Sequence, residues 1–190
     1  MELSSPRINT GICKGLRLKV KKGLQTRPTP SRVREAVMNH LQHEIEESVF
    51  VDLYAGSGAM GFEAVSRGAQ EVVWVERDKE AARILKENLD NALMRFEKQS
   101  FVKPVTRVHV NDVVKVLDRL PQADIVWLDA PWDDTHEQFA LIEEKLLNLV
   151  TPGGLLIVEK RKSTASLTIS WNLEWNRCYG EAEVLIWRKP

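Results

Sequence analysis

The stretch "DIVWLDAPWDD", residues 124–134, sets the apolar run Ile125 to Leu128 directly before Asp129, Ala130, Pro131 and Trp132. The run predicts a strand buried on both faces. A carboxylate and an indole delivered to the C-terminal end of such a strand are chemically a hydrogen-bond acceptor beside a flat apolar plate. That combination reads as a ligand site rather than as packing.

A second group of residues carries cofactor chemistry. In "VFVDLYAGSGAMGFEAVSRGA" Gly56, Gly58 and Gly61 form G-x-G-x-x-G between a strand and a helix. Glycines there let the backbone approach a ligand at a helix N-terminus, where free N–H groups point outward. Glu76 ends the next strand, where an acid accepts hydrogen bonds from ribose hydroxyls. Asp52 stands four residues before the turn. An anion there repels a pyrophosphate but suits the ammonium of a methionine moiety, which favours S-adenosylmethionine over NAD. Asp112, after "VTRVHV", can accept from an adenine amine.

These residues need a scaffold. Strands are predicted at 49–54, 71–76, 105–110, 123–129 and 154–160, with helices near 59–67, 79–96, 112–119 and 138–150. Strands near 173–179 and 182–188 form a closing hairpin at Gly180. Strands alternating with helices predict an α/β fold, a doubly wound, mostly parallel, Rossmann-like sheet with an antiparallel C-terminal hairpin. Ahead of it, residues 7–20 read as a hairpin turning near Lys14 and Gly15. In "TRPTPSRVREAV" Ser31 is the expected N-cap of a helix that buries Val33, Val37, Leu41 and Ile45.

Composition narrows the class. The 190 residues suit one self-sufficient core. Two cysteines, Cys13 and Cys178, are too few for a disulfide framework and point to a reducing cytosol. No metal-ligand spacing and no signal or membrane segment is evident, so a cytoplasmic protein is expected. The net charge is zero but uneven: residues 1–34 carry nine lysines and arginines against Glu2, a formal +8, and the rest carries −8. A basic arm on an acidic body fits a nucleic-acid partner; the alternative is a poorly ordered tail.

Together, "DLYAGSGAMGFEAVSRGA", "VERD", "LDAPW" and the leader "RPTPSRVREAV" resemble the RsmD family, bacterial 16S ribosomal RNA (guanine-N2) methyltransferases. The resemblance runs from about Arg7 through the closing strands, and the leader is its most specific part. It implies that Asp52, Gly56, Gly58, Glu76 and Asp112 surround S-adenosylmethionine, with Tyr54, Arg77, Val113 and Asp129 counted among their neighbours. It implies that Asp129, Ala130, Pro131 and Trp132 hold the target amine. The basic arm, through Arg7, Lys14, Arg17, Arg27, Arg32 and Arg34, is then the grip on 16S rRNA, free or in a partly assembled 30S particle. Residues 1–30 form the RNA-contacting hairpin and leader, residues 31–190 the methyltransferase domain, and the chain acts as a monomer.

The opening stretch then has a chemical use. A base amine is a poor nucleophile because its lone pair is delocalised into the ring. If Asp129 and the Ala130 carbonyl accept its two hydrogens, the nitrogen can pyramidalise and aim that pair at a sulfonium methyl. Trp132 offers a surface for the unstacked base. Ala130 stands where the family pattern has a first proline, which frees one φ angle. Two other readings compete: an RNA-binding protein with the fold but no turnover, supported by Ala130 alone, and an NAD-dependent oxidoreductase, favoured by the glycine turn but opposed by Asp52 and "DAPW".

Overall fold

The structure is a computed structural model that describes residues 5–21, 29–131 and 135–190. Its elements are α1 (Ser31–His40), β1 (Val49–Leu53), α2 (Ala59–Ser66), β2 (Glu71–Glu76), α3 (Lys79–Lys98), β3 (Val105–Val110), α4 (Val113–Val116), β4 (Ala123–Leu128), α5 (Thr135–Leu149), β5 (Val150–Arg161), β6 (Asn172–Tyr179) and β7 (Ala182–Arg188). One sheet holds all seven strands in the order β3-β2-β1-β4-β5-β7-β6. The first five are parallel and β7 joins β5 antiparallel. The expected α/β, Rossmann-like sheet with its antiparallel hairpin is what forms.

Strand order reverses between β1 and β4, and that crevice is where an open α/β sheet receives its ligand. Alternation along the strands sorts side chains onto two faces. Phe50, Trp74, Trp127 and Ile157 pack on one face with α1, α2 and α3. Val51, Val73, Val126 and Leu156 pack on the other with α4 and α5. Each face is a buried apolar layer, which is why the parallel strands read as near-continuous hydrophobic runs.

The N-terminal arm belongs to the first of these layers. Ile8, Cys13 and Leu18 are fully buried in it. A single antiparallel bridge, Arg7 to Arg17, closes the arm, and Gly15 N–H donates to the Ile8 carbonyl at 2.9 Å. The tail alternative therefore fails for residues 5–21. Cys13 N–H donates to Ser66 Oγ at 2.8 Å, and Lys19 of the arm exchanges two bonds of 2.9 Å with Asn88 of α3. Gly11 is required at this dock, because a Cβ there would lie 1.7 Å from the Ser66 carbonyl oxygen.

Three local expectations change. Ser31 does not cap α1: Pro30 holds the N-cap position with φ −57° and ψ 144°, and its carbonyl accepts from Val33 and Arg34. Ring closure already fixes that φ, while the Ser31 hydroxyl turns to Asn9 Oδ1 at 3.4 Å. The helix stops at His40, although Leu41 and Ile45 stay buried in the turns that follow. The predicted helix at 112–119 is a short α4 followed by a 3-10 turn, Leu117–Arg119.

Helix α2 is set against the sheet by Trp74. Its indole N–H donates to the Gly58 carbonyl at 3.2 Å, and a Cβ on Gly61 would lie 2.2 Å from that nitrogen. Gly61→Ala tests this fit. Alanine gains about 1 kcal/mol of helix propensity, but overpacking costs about 1–3 kcal/mol and the indole bond is displaced too. A net loss near ~2 kcal/mol in urea unfolding is expected, and a stabilised variant contradicts the packing account.

Candidate functional site

Two residues beyond Trp74, Phe50, Trp127 and Ile157 come Glu76, Asp52, Asp129 and Glu159, one acid from each of four adjacent strands. Alternation keeps all four on the same face, at the C-terminal edge and across the β1/β4 crevice. The sequence reading brought the first three together; it missed Glu159, a lone acid inside the apolar run "GLLIVEK".

Each acid is held differently. Asp52 is buried and accepts the Gly61 N–H at 3.0 Å, so the strand carboxylate caps the first turn of α2. Burial pushes its carboxyl well above the ordinary range, the Gly61 bond opposes this, and Asp129 and Glu76 add to it. Glu76 accepts Gly56 N–H through one oxygen and Asp78 N–H through the other, both at 2.7 Å. Asp129 lies just past β4, half-buried, and accepts the Thr29 hydroxyl at 3.0 Å. Burial pushes it up to about 6, against that bond.

The glycine turn lies over this row. Gly56 and Gly58 have φ of +53° and +75°, and Tyr54 is held at +60° with its hydroxyl donating to Gln138 Oε1 at 3.0 Å. A Cβ on Gly56 would meet nothing nearer than 4.0 Å, so the left-handed backbone rather than crowding selects glycine there. Asp112 caps α4 through Val114 N–H at 3.0 Å, followed by buried Val113, while Arg77 is exposed. Two carboxyls pre-set by backbone amides, with a left-handed glycine turn above them, match a cationic ligand bearing ribose hydroxyls. The donor set thus fits S-adenosylmethionine.

Behind Asp129 stands Arg34, and here the sequence reading is corrected. Arg34 does not face RNA: it is 2% exposed, donating to the Thr29 carbonyl at 2.8 Å and the Arg7 carbonyl at 3.0 Å. Its Nε lies 3.9 Å from Glu63, itself wholly buried and accepting Asn9 N–H at 3.0 Å. Of the other basic residues named for RNA, Arg7, Lys14 and Arg32 are exposed and Arg17 is exposed as well. Arg27 and Trp132 lie outside the described residues. Thr29, which joins Arg34 to Asp129, was also missed; its only signal was a place inside the leader. Ala130 is buried and Pro131 half-buried beside Asp129.

Residues 6–188 match the family described as conserved hypothetical protein 95. A Haemophilus influenzae protein named ribosomal RNA small subunit methyltransferase D is 34% identical over 170 residues, covering 88% of this chain and 85% of that one. The solved structure of a hypothetical protein from Thermus thermophilus is 30% identical, with a TM-score of 0.77, over 95% of this chain and 98% of its own. An RNA methyltransferase from Salinibacter ruber, solved with S-adenosyl-L-homocysteine, is alike in fold: 16% identical, TM-score 0.62, over 86% and 94% of the two chains.

The Arg34–Glu63 pair yields a stability test. Arg34→Ala leaves a buried carboxylate with one weaker partner, Arg67, also at 3.9 Å. Removing one member of a buried pair costs about 3–5 kcal/mol. Burial already raises the Glu63 carboxyl, and losing Arg34, which lowers it, raises it further. The folded variant then binds the proton more tightly than the parent, so its deficit shrinks as pH falls. Unfolding at pH ~5 and pH ~8 checks both points; an equal deficit at the two contradicts the electrostatic part.

Proposed function

The chain belongs to the conserved hypothetical protein 95 family, the RsmD methyltransferases of ribosomal RNA, and on that premise we propose that it methylates the exocyclic N2 amine of a guanine in 16S rRNA. S-adenosylmethionine is the cofactor, and the NAD-dependent oxidoreductase reading is set aside. When bound, the cofactor supplies an electrophilic methyl on a positively charged sulfur. The observation that carries the reading is Asp129, half-buried at the strand-order reversal and held by Thr29 beside the glycine turn and Glu76.

In this reading Glu76 takes the ribose hydroxyls with the lone pairs its two amide bonds leave unused. Asp52 keeps α2 and the turn in place through the Gly61 N–H. Tyr54, Gly56, Gly58, Arg77, Asp112 and Val113 complete the cofactor wall. Asp129 and the Ala130 carbonyl accept the two amine hydrogens, so that the nitrogen lone pair faces the methyl carbon. The amine proton released on transfer would pass to Asp129, which is placed to hold it. Because burial places that carboxyl near 6, it is an anion at neutral pH, and the rate falls as acid protonates it.

Exposed Arg7, Lys14, Arg17 and Arg32 supply the phosphate contacts. Residues 1–30 are the RNA-contacting piece and 31–190 the catalytic one. The chain works as a monomer in the cytoplasm on 16S rRNA, free or within a partly assembled small-subunit particle. Among the described residues no helix is long and apolar enough to cross a membrane.

The test is single-turnover methyl transfer to 16S rRNA and to small-subunit particles from cells lacking the protein, with the product base mapped. A product other than N2-methylguanine contradicts the reading. Asp129→Ala is expected to lower the rate by on the order of a hundredfold while cofactor affinity stays within a few fold; transfer at the parent rate makes Asp129 structural. Glu76→Ala is expected to weaken S-adenosylmethionine roughly tenfold or more in calorimetry, a loss of about 1.5–3 kcal/mol. Unchanged affinity in a folded variant removes Glu76 from the pocket.

A further inference from the structure

Glu159 has no task in the reaction as derived, yet its placement is costly. It is 2% exposed, on a central strand, and its Oε2 has no hydrogen-bond partner. Leu128 pairs with Val158, so Asp129 and Glu159 are the next residues along adjacent parallel strands, on one face. Thr29 bears on both: its hydroxyl donates to Asp129 at 3.0 Å, and it also acts on the Glu159 carboxyl.

Among the described residues no cation pairs with Glu159. Across β5, Glu159 pairs with apolar Val184 of β7. Lys160, its neighbour in the strand, forms an ion pair with Glu183 at 2.7 Å and donates to the Arg161 and Thr164 carbonyls. Arg34 of α1 is bound to the Thr29 and Arg7 carbonyls and faces Glu63. Toward β1 the next charge is another acid, Asp52. Two ionised carboxylates here would share a single hydroxyl proton, leaving one buried charge unpaired.

We propose that Asp129 and Glu159 hold one proton between them, carried by Glu159, which donates through the Thr29 hydroxyl to keep Asp129 an anion aimed at the target amine. Resting on the methyltransferase reading, this makes Glu159 and Thr29 positioning residues. The hydrogen bonds run one way: Glu159 O–H to Thr29 Oγ, and Thr29 O–H to Asp129. Burial, reinforced by Asp129 and opposed by Thr29, raises Glu159 to about 9. Asp129, raised only to about 6, is the one that ionises at neutral pH. The two titrate as a coupled pair.

Three measurements test the proton, and the first two need no RNA. In parent protein with 13C-labelled glutamate carboxyls, one resonance stays in the protonated range at neutral pH and disappears in Glu159→Gln; all glutamates ionised at neutral pH overturns the proposal. A carboxyl with a raised folded value loses stability as pH climbs from its unfolded value toward its folded one. The melting temperature of Glu159→Gln, neutral throughout, therefore gains on the parent as pH rises from about 5 to about 9, and a constant difference overturns the proposal. Should glutamine fail to fold, the absence of any protonated glutamate resonance in the parent still overturns the proposal.

The third measurement is the pH profile of single-turnover methyl transfer at saturating cofactor. The parent rate falls on the alkaline side as Glu159 ionises, and the Glu159→Gln profile lacks that fall; superimposable profiles overturn the positioning role. If no methyl transfer to RNA occurs at all, the function proposal fails alone, while the resonance and the melting series still report on the shared proton.

Discussion

The guanidinium of Arg34 is the point through which most of the active-site edge is held. Its rigid fork of donors lets one buried side chain bind the Thr29 and Arg7 carbonyls while facing Glu63. The arm, the leader and α2 thus meet at one charge. A lysine could not fork in this way, and an apolar residue would orphan both carbonyls. Ser66 and Asn88 add anchoring bonds further along the arm, while Arg34 connects it, through Thr29, to the end of β4.

Four acids line the adjoining edge, and each has its own remedy for mutual repulsion. Asp52 spends its charge on the N-terminus of α2, where backbone N–H groups and the helix dipole favour an anion. Glu76 divides itself between two loop amides. Asp129 and Glu159 have a hydroxyl between them instead. These acids are already oriented by protein groups, so a cationic ligand meets fixed dipoles rather than reorganising ones.

The sheet was readable because parallel strands buried on both faces appear as apolar runs, and "VVWV" or "IVWL" has no other comfortable home. Gly56 and Gly58 were readable for a related reason: a left-handed turn tolerates few residues. The basic arm was misread at Arg34 because charge composition cannot distinguish a solvated cation from one enclosed by main-chain carbonyls. The alternation Ile8, Leu18 was too sparse to reveal that the arm is itself part of the core. Thr29 and Glu159 stayed hidden for a deeper reason. Each acquires meaning only from Asp129, and register between β4 and β5 is a property of the sheet, not of either segment.

The bond from Thr29 to Asp129 spans 100 residues, and that separation bears on how the enzyme comes into being during its own synthesis. At about 5–20 residues per second a ribosome needs roughly 5–20 s to travel between the two positions, and longer to reach β5. Once Glu63 has been made, the nascent chain holds the Arg34–Glu63 pair for the rest of that interval but lacks the strand on which the leader must close. Contacts so far apart also form late in folding, after the loop-closure cost has been met. Competence therefore arrives with the last third of the polypeptide, and a truncated translation product is basic at its N-terminus yet inert.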